Sequence, residues 1–340
     1  MPTITAEALR HHVQAILEAT GTPPDLAQVV SEALVEANLA GHDSHGVLRL
    51  PQYIEMVRKG QVKPAARASL LGRQQATARV DGARGWGQPA ARLATDTVIG
   101  LAQEYGVGMV TIDHCNHIGR VGEYVERMAQ AGLIGLTLCN VGAAVAPFGG
   151  RQARMGTNPM AWGIPRGAGQ DPLVVDFATS VVAEGKLWVA RAKGEQVPPG
   201  QIIDRDGQPS TEPADFYDGG ALLPFGGYKG YGLSVMIELV GGALSGMGPS
   251  MAPRYQHGNG TMLMALNIAN FVSPEQFAAE ADEYCDSLHA TPTVAGFSEV
   301  LLPGEPEMRS RRQRRAAGIP LPETTWQSIQ ALADELKLTL

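Results

Sequence analysis

The hydrophobic period of this chain changes twice, and that switch limits its architecture more than any motif does. In "AEALRHHVQAILEA" the apolar residues Leu9, Val13, Ile16 and Leu17 recur at helical spacing, with Thr5 before them as an N-cap. Pro23 and Pro24 break the chain before "DLAQVVSEALVEANLA", which Gly41 stops. Ser44 is placed to cap a third helix, "HGVLRLPQYIEMVRKG", ended by Gly60. Helical spacing returns from Glu305 to Leu340, where Trp326, Ile329, Leu332 and Leu336 share one face. Between these ends lie "ATARVDG", "GVGMVTID", "GLIGLTLCN", "PLVVDFA" and "TMLMALNIA", short apolar or alternating runs bounded by Gly, Asp or Asn. Such runs are strands. Helices "QPAARLATDTVIGLAQEY", "VGEYVERMAQA" and "GYGLSVMIELVGGAL" fall among them. The predicted fold is α/β, with a helical domain built from both chain termini (residues 1–68 and 307–340) and a central α/β domain (69–306). No internal repeat is visible.

Composition narrows the function classes. At 340 residues, 44% hydrophobic and 18% charged, the chain is a globular protein large enough for two cores. A net charge of −7 argues against a nucleic-acid partner, which selects for a basic excess. No run approaches the roughly eighteen apolar residues of a membrane span. Cys115, Cys139 and Cys285 are odd in number and far apart, so no disulfide framework is expected. The N-terminus shows no secretion signal, and a cytoplasmic enzyme is the expectation.

The densest chemistry is "AGHDSHGVLRL", residues 40–50. His42 and His45 lie three apart, as do His114 and His117, so a four-histidine zinc site and a zinc-dependent hydrolase are one reading. Asp43 and Arg49 sit in the first cluster, and a cation beside a metal is unfavourable. Proton transfer is the second reading. A histidine near its ordinary pKa of about 6.5 can protonate a developing alkoxide, and Ser44 beside it can relay that proton. Arg49, one helical turn beyond His45, offers a planar fork to a carboxylate. A polar helix start capped by Ser44 is the plain alternative.

Dinucleotide binding leaves a different trace. "GARGWG" and "GGYKGYG" do not follow strands at the spacing a Rossmann crevice requires. "HIGRVG" opens a helix after a strand, and "GGYKG" puts Lys229 at a helix start; either can present backbone N–H groups to phosphate, although a structural turn explains each alone. Thr157 and Asn158 precede a strand, Asp176 ends a buried-looking run, and Ser180 is placed to cap the next helix. "RSRRQRR" (309–315) reads as a solvated helix face or a 2′-phosphate neighbour.

Six motifs in order, "ANLAGHDSHGVLRLPQY", "NHIGRVGEY", "FGGRQARMGTNPMAWGIP", "VVDFATSVVAEGK", "LLPFGGYKGYGLSVMIELVGGALSG" and "LLPGEPE", resemble the malate/L-lactate dehydrogenase family of NAD(P)-dependent oxidoreductases. "KGEQVPPGQIIDRDGQPS" and "AAGIPLPETTWQSI" look most like its hydroxycarboxylate dehydrogenase branch. The likeness runs nearly end to end. It implies a non-Rossmann nicotinamide-binding mixed-sheet domain joined to the terminal helical domain, in a homodimer, with NAD or NADP as cofactor and no metal. By the same likeness His45 matches the proton donor and Ser44 its relay partner. Arg49 matches the substrate-carboxylate residue of the cyclic-imine reductase branch. His117, Ile118, Gly119, Arg120, Val121, Thr157, Val175, Asp176, Phe177, Ala178, Lys229, Gly230, Gly304, Glu305 and Pro306 match cofactor contacts, and His117 also matches a residue catalytic in some members, beside the substrate. The family commonly has a small polar residue where this chain has Cys115. The implied reaction is reduction of a 2-oxo acid to a 2-hydroxy acid; the alternative is reduction of a cyclic imino acid such as piperideine- or pyrroline-2-carboxylate.

Overall fold

The computed structural model describes residues 2–338. Strand β1 (Thr3–Ile4) leads into helices α1 (Ala6–Ala19), α2 (Pro24–Leu39) and α3 (Leu50–Arg58), with two short 3-10 turns, Asp43–His45 and Val47–Arg49, before α3. Then follow β2 (Ser69–Gln74), β3 (Thr77–Asp81), α4 (Gly87–Tyr105), β4 (Val107–Asp113), α5 (Gly122–Gln130), β5 (Leu133–Asn140), β6 (Met160–Ile164) and β7 (Leu173–Phe177). A smaller lobe holds α6 (Glu184–Lys193), β8 (Ile202–Ile203), β9 (Pro209–Ser210), α7 (Pro213–Tyr217) and β10 (Ala221–Leu222). The chain ends through α8 (Tyr228–Ile237), β11 (Gly260–Asn267), α9 (Pro274–His289), α10 (Glu305–Ala317), β12 (Ile319–Pro320) and α11 (Glu323–Glu335).

Seven strands form the main sheet in the order β2-β3-β4-β11-β5-β6-β7. Only β3 and β4 run parallel; every other neighbouring pair is antiparallel. Central strand β11 pairs Thr261 with Ile112 on one side and Cys139 on the other. Helices α4 and α5 close a core in which Val98, Leu101, Tyr124 and Met128 meet Val110, Ile112 and Leu263. Cys115 and Cys139 are free thiols inside this core, so Cys115 is packing rather than a wall of a site.

The two chain ends meet. Strand β1 pairs antiparallel with β12, placing Ile4 opposite Ile319. Leu9, Ile16, Leu34 and Leu50 from the start share one buried cluster with Leu321, Ile329 and Leu332 from the end, and Trp86 joins them from the middle. Each such large side chain, fully buried, contributes about 1.5–3 kcal/mol. Among the described residues no helix is long and apolar enough to cross a membrane.

The five strand runs named above are strands, and three local expectations fail. Ser44 caps nothing: it lies inside a 3-10 turn, and α3 starts only at Leu50 with Arg49 before it. The α6 cap position is Ala183, while the Ser180 hydroxyl donates to Val182 O at 2.8 Å. The helix expected through Leu244 stops being α-helical at Ile237 and widens into a π turn over Glu238–Ala243. Two elements gave no periodic signal. Every residue of edge strand β2 is exposed, and α9 buries only Cys285 fully.

Candidate active site

Asn38, at the end of α2, shapes the loop that carries the polar cluster. Its Oδ1 accepts from Val47 N at 2.8 Å and its Nδ2 donates to Asp43 Oδ1 at 2.6 Å. A Cβ on Gly46 would stand 2.2 Å from Asn38 Oδ1, so only glycine lets the loop close over that amide. Asp43 is then held from α10 by Arg314, with N–O distances of 2.7 and 3.1 Å. It is a strut, not a reacting group.

The loop delivers Ser44, His45 and Arg49 to one place, though not by regular helix geometry. Gly46 is extended between the two 3-10 turns, and the Arg49 guanidinium folds back so that Nε donates to Ser44 O at 2.7 Å. Arg49 Nη1 donates to Gln52 at 2.9 Å. Among the described residues Arg49 meets no carboxylate. Ser44 Oγ lies 3.1 Å from His45 Nδ1. The His45 ring stacks on His117, with centroids 5.7 Å apart and planes 17° from parallel. His117 Nδ1 lies 2.7 Å from the Tyr53 hydroxyl, which accepts from Gln88 Nε2 at 2.8 Å.

Electrostatics here keep both rings neutral. Burial, then the charge of Arg49, with smaller effects of His42 and Arg120, pushes His45 down to about 3. Burial, Arg49 and His45 hold His117 well below its ordinary value. The expectation of a histidine near 6.5 therefore fails for the substrate-free protein: two half-buried rings and a cation cannot all be charged together. Burial raises the Tyr53 hydroxyl to about 12, so it keeps its proton.

The four histidines do not converge. His42 Nε2 meets Glu307 Oε1 at 3.2 Å, and His114 Nδ1 meets Asp81 Oδ1 at 3.0 Å. Only His45 and His117 come together, and two imidazoles are too few for a zinc cage. Among the described residues no group of three His, Cys, Asp or Glu side chains could hold a metal ion. The hydrolase reading loses its ligand set.

The segments matched to cofactor contacts gather along β7 and its extension. Gly122 N donates to Asp176 Oδ2 at 2.7 Å, which ties the 117–121 loop to β7. Within that loop Gly119 has φ +78°, Ile118 N donates to Asn259 Oδ1 at 3.0 Å, and Val121 leads into α5. Val174 N donates to Pro303 O at 3.2 Å, and Gly304, at φ +92°, packs against Val174. Glu305 turns back to accept from Leu302 N at 2.9 Å, and Pro306 sits in the first turn of α10. Val175 and Phe177 pair with Trp162 and Met160, with Ala178 just beyond. Thr179 N then donates to Thr157 O at 2.8 Å and its O accepts from Phe225 N, so Thr157 and the start of α8 join the same seam. Gly230 is pressed against Phe225 and Thr179 carbonyls, while Lys229 is exposed.

Arg120 faces elsewhere. It is buried against Glu126, with Nη2–Oε2 at 2.7 Å, and borders a cavity of about 420 Å³ between α2, α5 and α10. Arg92, Arg127, Arg311, Arg312 and Arg315 line that cavity, and each meets a carboxylate.

Sequence reasoning passed over Tyr53, Gln88, Asn38 and Glu238. Asn38 and Glu238 had a readable signal, a polar residue within an otherwise apolar helical stretch. The buried Glu238 carboxylate gathers Asn140, Gly156, Asn158 and Ser250, with Ser250 N at 2.8 Å and Asn158 Nδ2 at 2.8 Å. It thereby fixes the loop that presents Thr157. Tyr53 and Gln88 carried no such signal, because nothing local shows that they meet His117.

The family model for malate/L-lactate dehydrogenase matches residues 4–330. Hydroxycarboxylate dehydrogenase B of Escherichia coli is 37% identical, over 95% of this chain and 91% of its own. The solved sulfolactate dehydrogenase of Methanocaldococcus jannaschii superposes with a TM-score of 0.89 at 33% identity, covering 99% of this chain and 98% of the other. The δ1-piperideine-2-carboxylate reductase of Pseudomonas syringae gives 0.88 at 34% identity, covering 98% and 100%. With a family model covering nearly the whole chain and relatives above 30% identity along it, the chain is an oxidoreductase belonging to the malate/L-lactate dehydrogenase family.

Proposed function

We propose that this enzyme interconverts 2-oxo acids and 2-hydroxy acids with NADH or NADPH, and that His45 is the proton donor. One observation carries the reading: a histidine with a hydroxyl on its Nδ1 stands beside an arginine that meets no carboxylate among the described residues. Arg49 would take the substrate carboxylate two-pronged. The C2 oxygen then lies toward His45 and His117; His45, which takes up a second proton once the substrate carboxylate pairs with Arg49, gives that proton to the oxygen and returns to the neutral ring that Ser44 orients. The substrate carboxylate also offsets the Arg49 charge, one of the causes that keep His45 neutral.

The residues along β7 are the ones we assign to a dinucleotide. Lys229, exposed in the first turn of α8, offers a cation to a pyrophosphate at a helix N-terminus, while Gly230 and Gly304 let the α8 start and the segment before α10 pack closely against the seam beside Ala178. We assign His117, Ile118, Gly119, Val121, Thr157, Val175–Ala178, Lys229, Gly230 and Gly304–Pro306 to holding it, and not Arg120, which is spent on Glu126. When bound in its reduced form, the nicotinamide supplies the hydride that reaches the substrate carbon. We read residues 1–68 with 307–340 as the unit that presents His45 and Arg49, and 69–306 as the unit that holds the cofactor.

A second reading is reduction of a cyclic imino acid, in which the hydride reaches a C=N carbon. Arg49 favours it as much as the first, and a relative 34% identical is named a pyrroline/piperideine-2-carboxylate reductase. For assembly we propose a homodimer that covers Leu233, Met236, Leu239 and Leu244, an exposed apolar set on α8 and the turn after it. A cytoplasmic setting suits the free thiols.

Consumption of NADH and NADPH against a panel of 2-oxo acids and cyclic imines separates the two chemistries. His45→Ala is expected to lower kcat by on the order of a hundredfold, the scale of lost general acid catalysis. Near-normal turnover in His45→Ala with none in His117→Ala would exchange the two roles.

A further inference from the structure

Among the described residues Tyr53 and Gln88 hydrogen-bond to neither Arg49 nor the β7 seam, yet both are buried and both lead to His117. Tyr53 comes from α3 and Gln88 from the first turn of α4, so the contact crosses from the terminal helices to the sheet-bearing part of the chain. Gln88 is fully buried and Tyr53 is 3% exposed, with Trp86 and His117 against the phenol ring. The hydroxyl has one proton to give. Gln88 Nε2 already donates to it, at 2.8 Å, and the remaining neighbour is His117 Nδ1 at 2.7 Å.

We propose that Gln88 and Tyr53 are positioning residues that set the tautomer of His117, so that this ring presents an Nε2–H donor toward the substrate. The assignment follows from counting donors and acceptors. A phenol that accepts from an amide N–H spends its own proton on the ring nitrogen, and an imidazole whose Nδ1 accepts carries its single proton on Nε2. The phenol remains protonated because burial raises it, and His117 remains neutral for the reasons given above. Gln88 Oε1 is buried and, among the described residues, without a hydrogen-bond partner. Turning the amide over would bring that oxygen to the phenol, pull the phenolic proton away from His117, and leave the amide nitrogen bare instead. A bare buried N–H is the rarer and costlier defect, so the amide nitrogen faces the phenol. The consequence for chemistry is a division of labour. His117 becomes a neutral hydrogen-bond donor that polarises the substrate carbonyl or imine, and His45, whose Nδ1 faces a serine able to give or take a proton, remains the ring that transfers one.

The proposal rests on the reductase reading for its purpose, but its test does not need activity. Nitrogen-15 spectra of the histidine rings in substrate-free protein, with His117 assigned from a His117→Gln variant, report which nitrogen carries the proton. Wild type is expected to show a protonated Nε2 and an accepting Nδ1. Tyr53→Phe removes the donor and is expected to move the ring toward a mixture of tautomers, and Gln88→Met, which frees the phenol to turn, to do so partially. In turnover, kcat of Tyr53→Phe is expected to fall about tenfold, the worth of one hydrogen bond, with KM little changed. A wild-type His117 protonated on Nδ1 overturns the proposal. So do ring signals in folded Tyr53→Phe identical to wild type. Expected spectra in a protein that reduces no 2-oxo acid or imine would leave the relay standing and remove the reductase reading.

Discussion

Two regions of this molecule concentrate charge, and they handle it in opposite ways. In the cavity between α2, α5 and α10 the lining arginines all meet carboxylates, and Glu126 accepts from both Arg120 and Arg311. Beside His45, Arg49 is left, among the described residues, with a backbone carbonyl and an amide, and the two imidazoles next to it are kept neutral. Arg120 belongs to both neighbourhoods: it lines the cavity and adds to the depression of His45. The first region has its charge balanced from within the chain. In the second, Arg49 has no carboxylate partner among the described residues, and the proposed anionic substrate would supply that charge.

The sharpest way to break this contrast is to unbalance the balanced side. Glu126 is buried; burial alone would raise its carboxyl, but Arg311 and Arg120 hold it below the ordinary range. Glu126→Ala leaves two guanidinium groups without their shared partner, and breaking a buried pair costs about 3–5 kcal/mol. Urea unfolding at neutral pH is expected to show a loss of that order. A midpoint equal to wild type would mean that the cavity's ion pairs are not structural.

The next test fills in the other side. If Arg49 is the missing half of a pair completed by substrate, Arg49→Leu should raise KM by about ten- to a hundredfold, the range of one charge-assisted hydrogen bond, with kcat less affected. Arg49→Lys keeps the charge without the fork and should fall between. Unchanged KM for the acid in folded Arg49→Leu would remove it from substrate binding.

The smallest effect is the pH dependence of stability. His45 and His117 have folded-state values below their ordinary 6.5, so the unfolded chain binds protons there that the folded chain refuses. Their contribution is complete above about pH 6.5 and is lost as pH falls, with a slope of at most about 1.4 kcal/mol per pH unit for each ring. Glu126 acts in the same direction from the carboxylate range downward. Unfolding free energies at pH 7 and pH 5.5, in wild type and in His45→Gln, measure the histidine share. An equal drop in both proteins would show that His45 is not held neutral by the fold.

Much of this was legible from local pattern. Leu9, Val13, Ile16 and Leu17 are fully buried on one face of α1, and the Thr5 hydroxyl accepts from Ala8 N as its cap. Strands β3, β4, β5, β7 and β11 stand where short apolar runs bounded by Gly, Asp or Asn placed them. Ser44, His45 and Arg49 are also neighbours, although Gly46 and the fold-back of the guanidinium bring this about, not the turn of a helix.

What sequence alone determined, then, is the identity and order of the terminal helices and of strands β3, β4, β5, β7 and β11, and the clustering of His45, Ser44 and Arg49, because periodicity, caps and turn residues act over a few positions. Tertiary structure alone decided which histidines meet. His42 and His45 are three residues apart, yet one pairs with Glu307 on α10 and the other stacks on His117, far along the chain. It also decided that His45 and His117 are neutral, and that the proton of Tyr53 belongs to His117. Burial and the direction of a hydrogen bond depend on atoms brought from distant segments, so no local spacing encodes them.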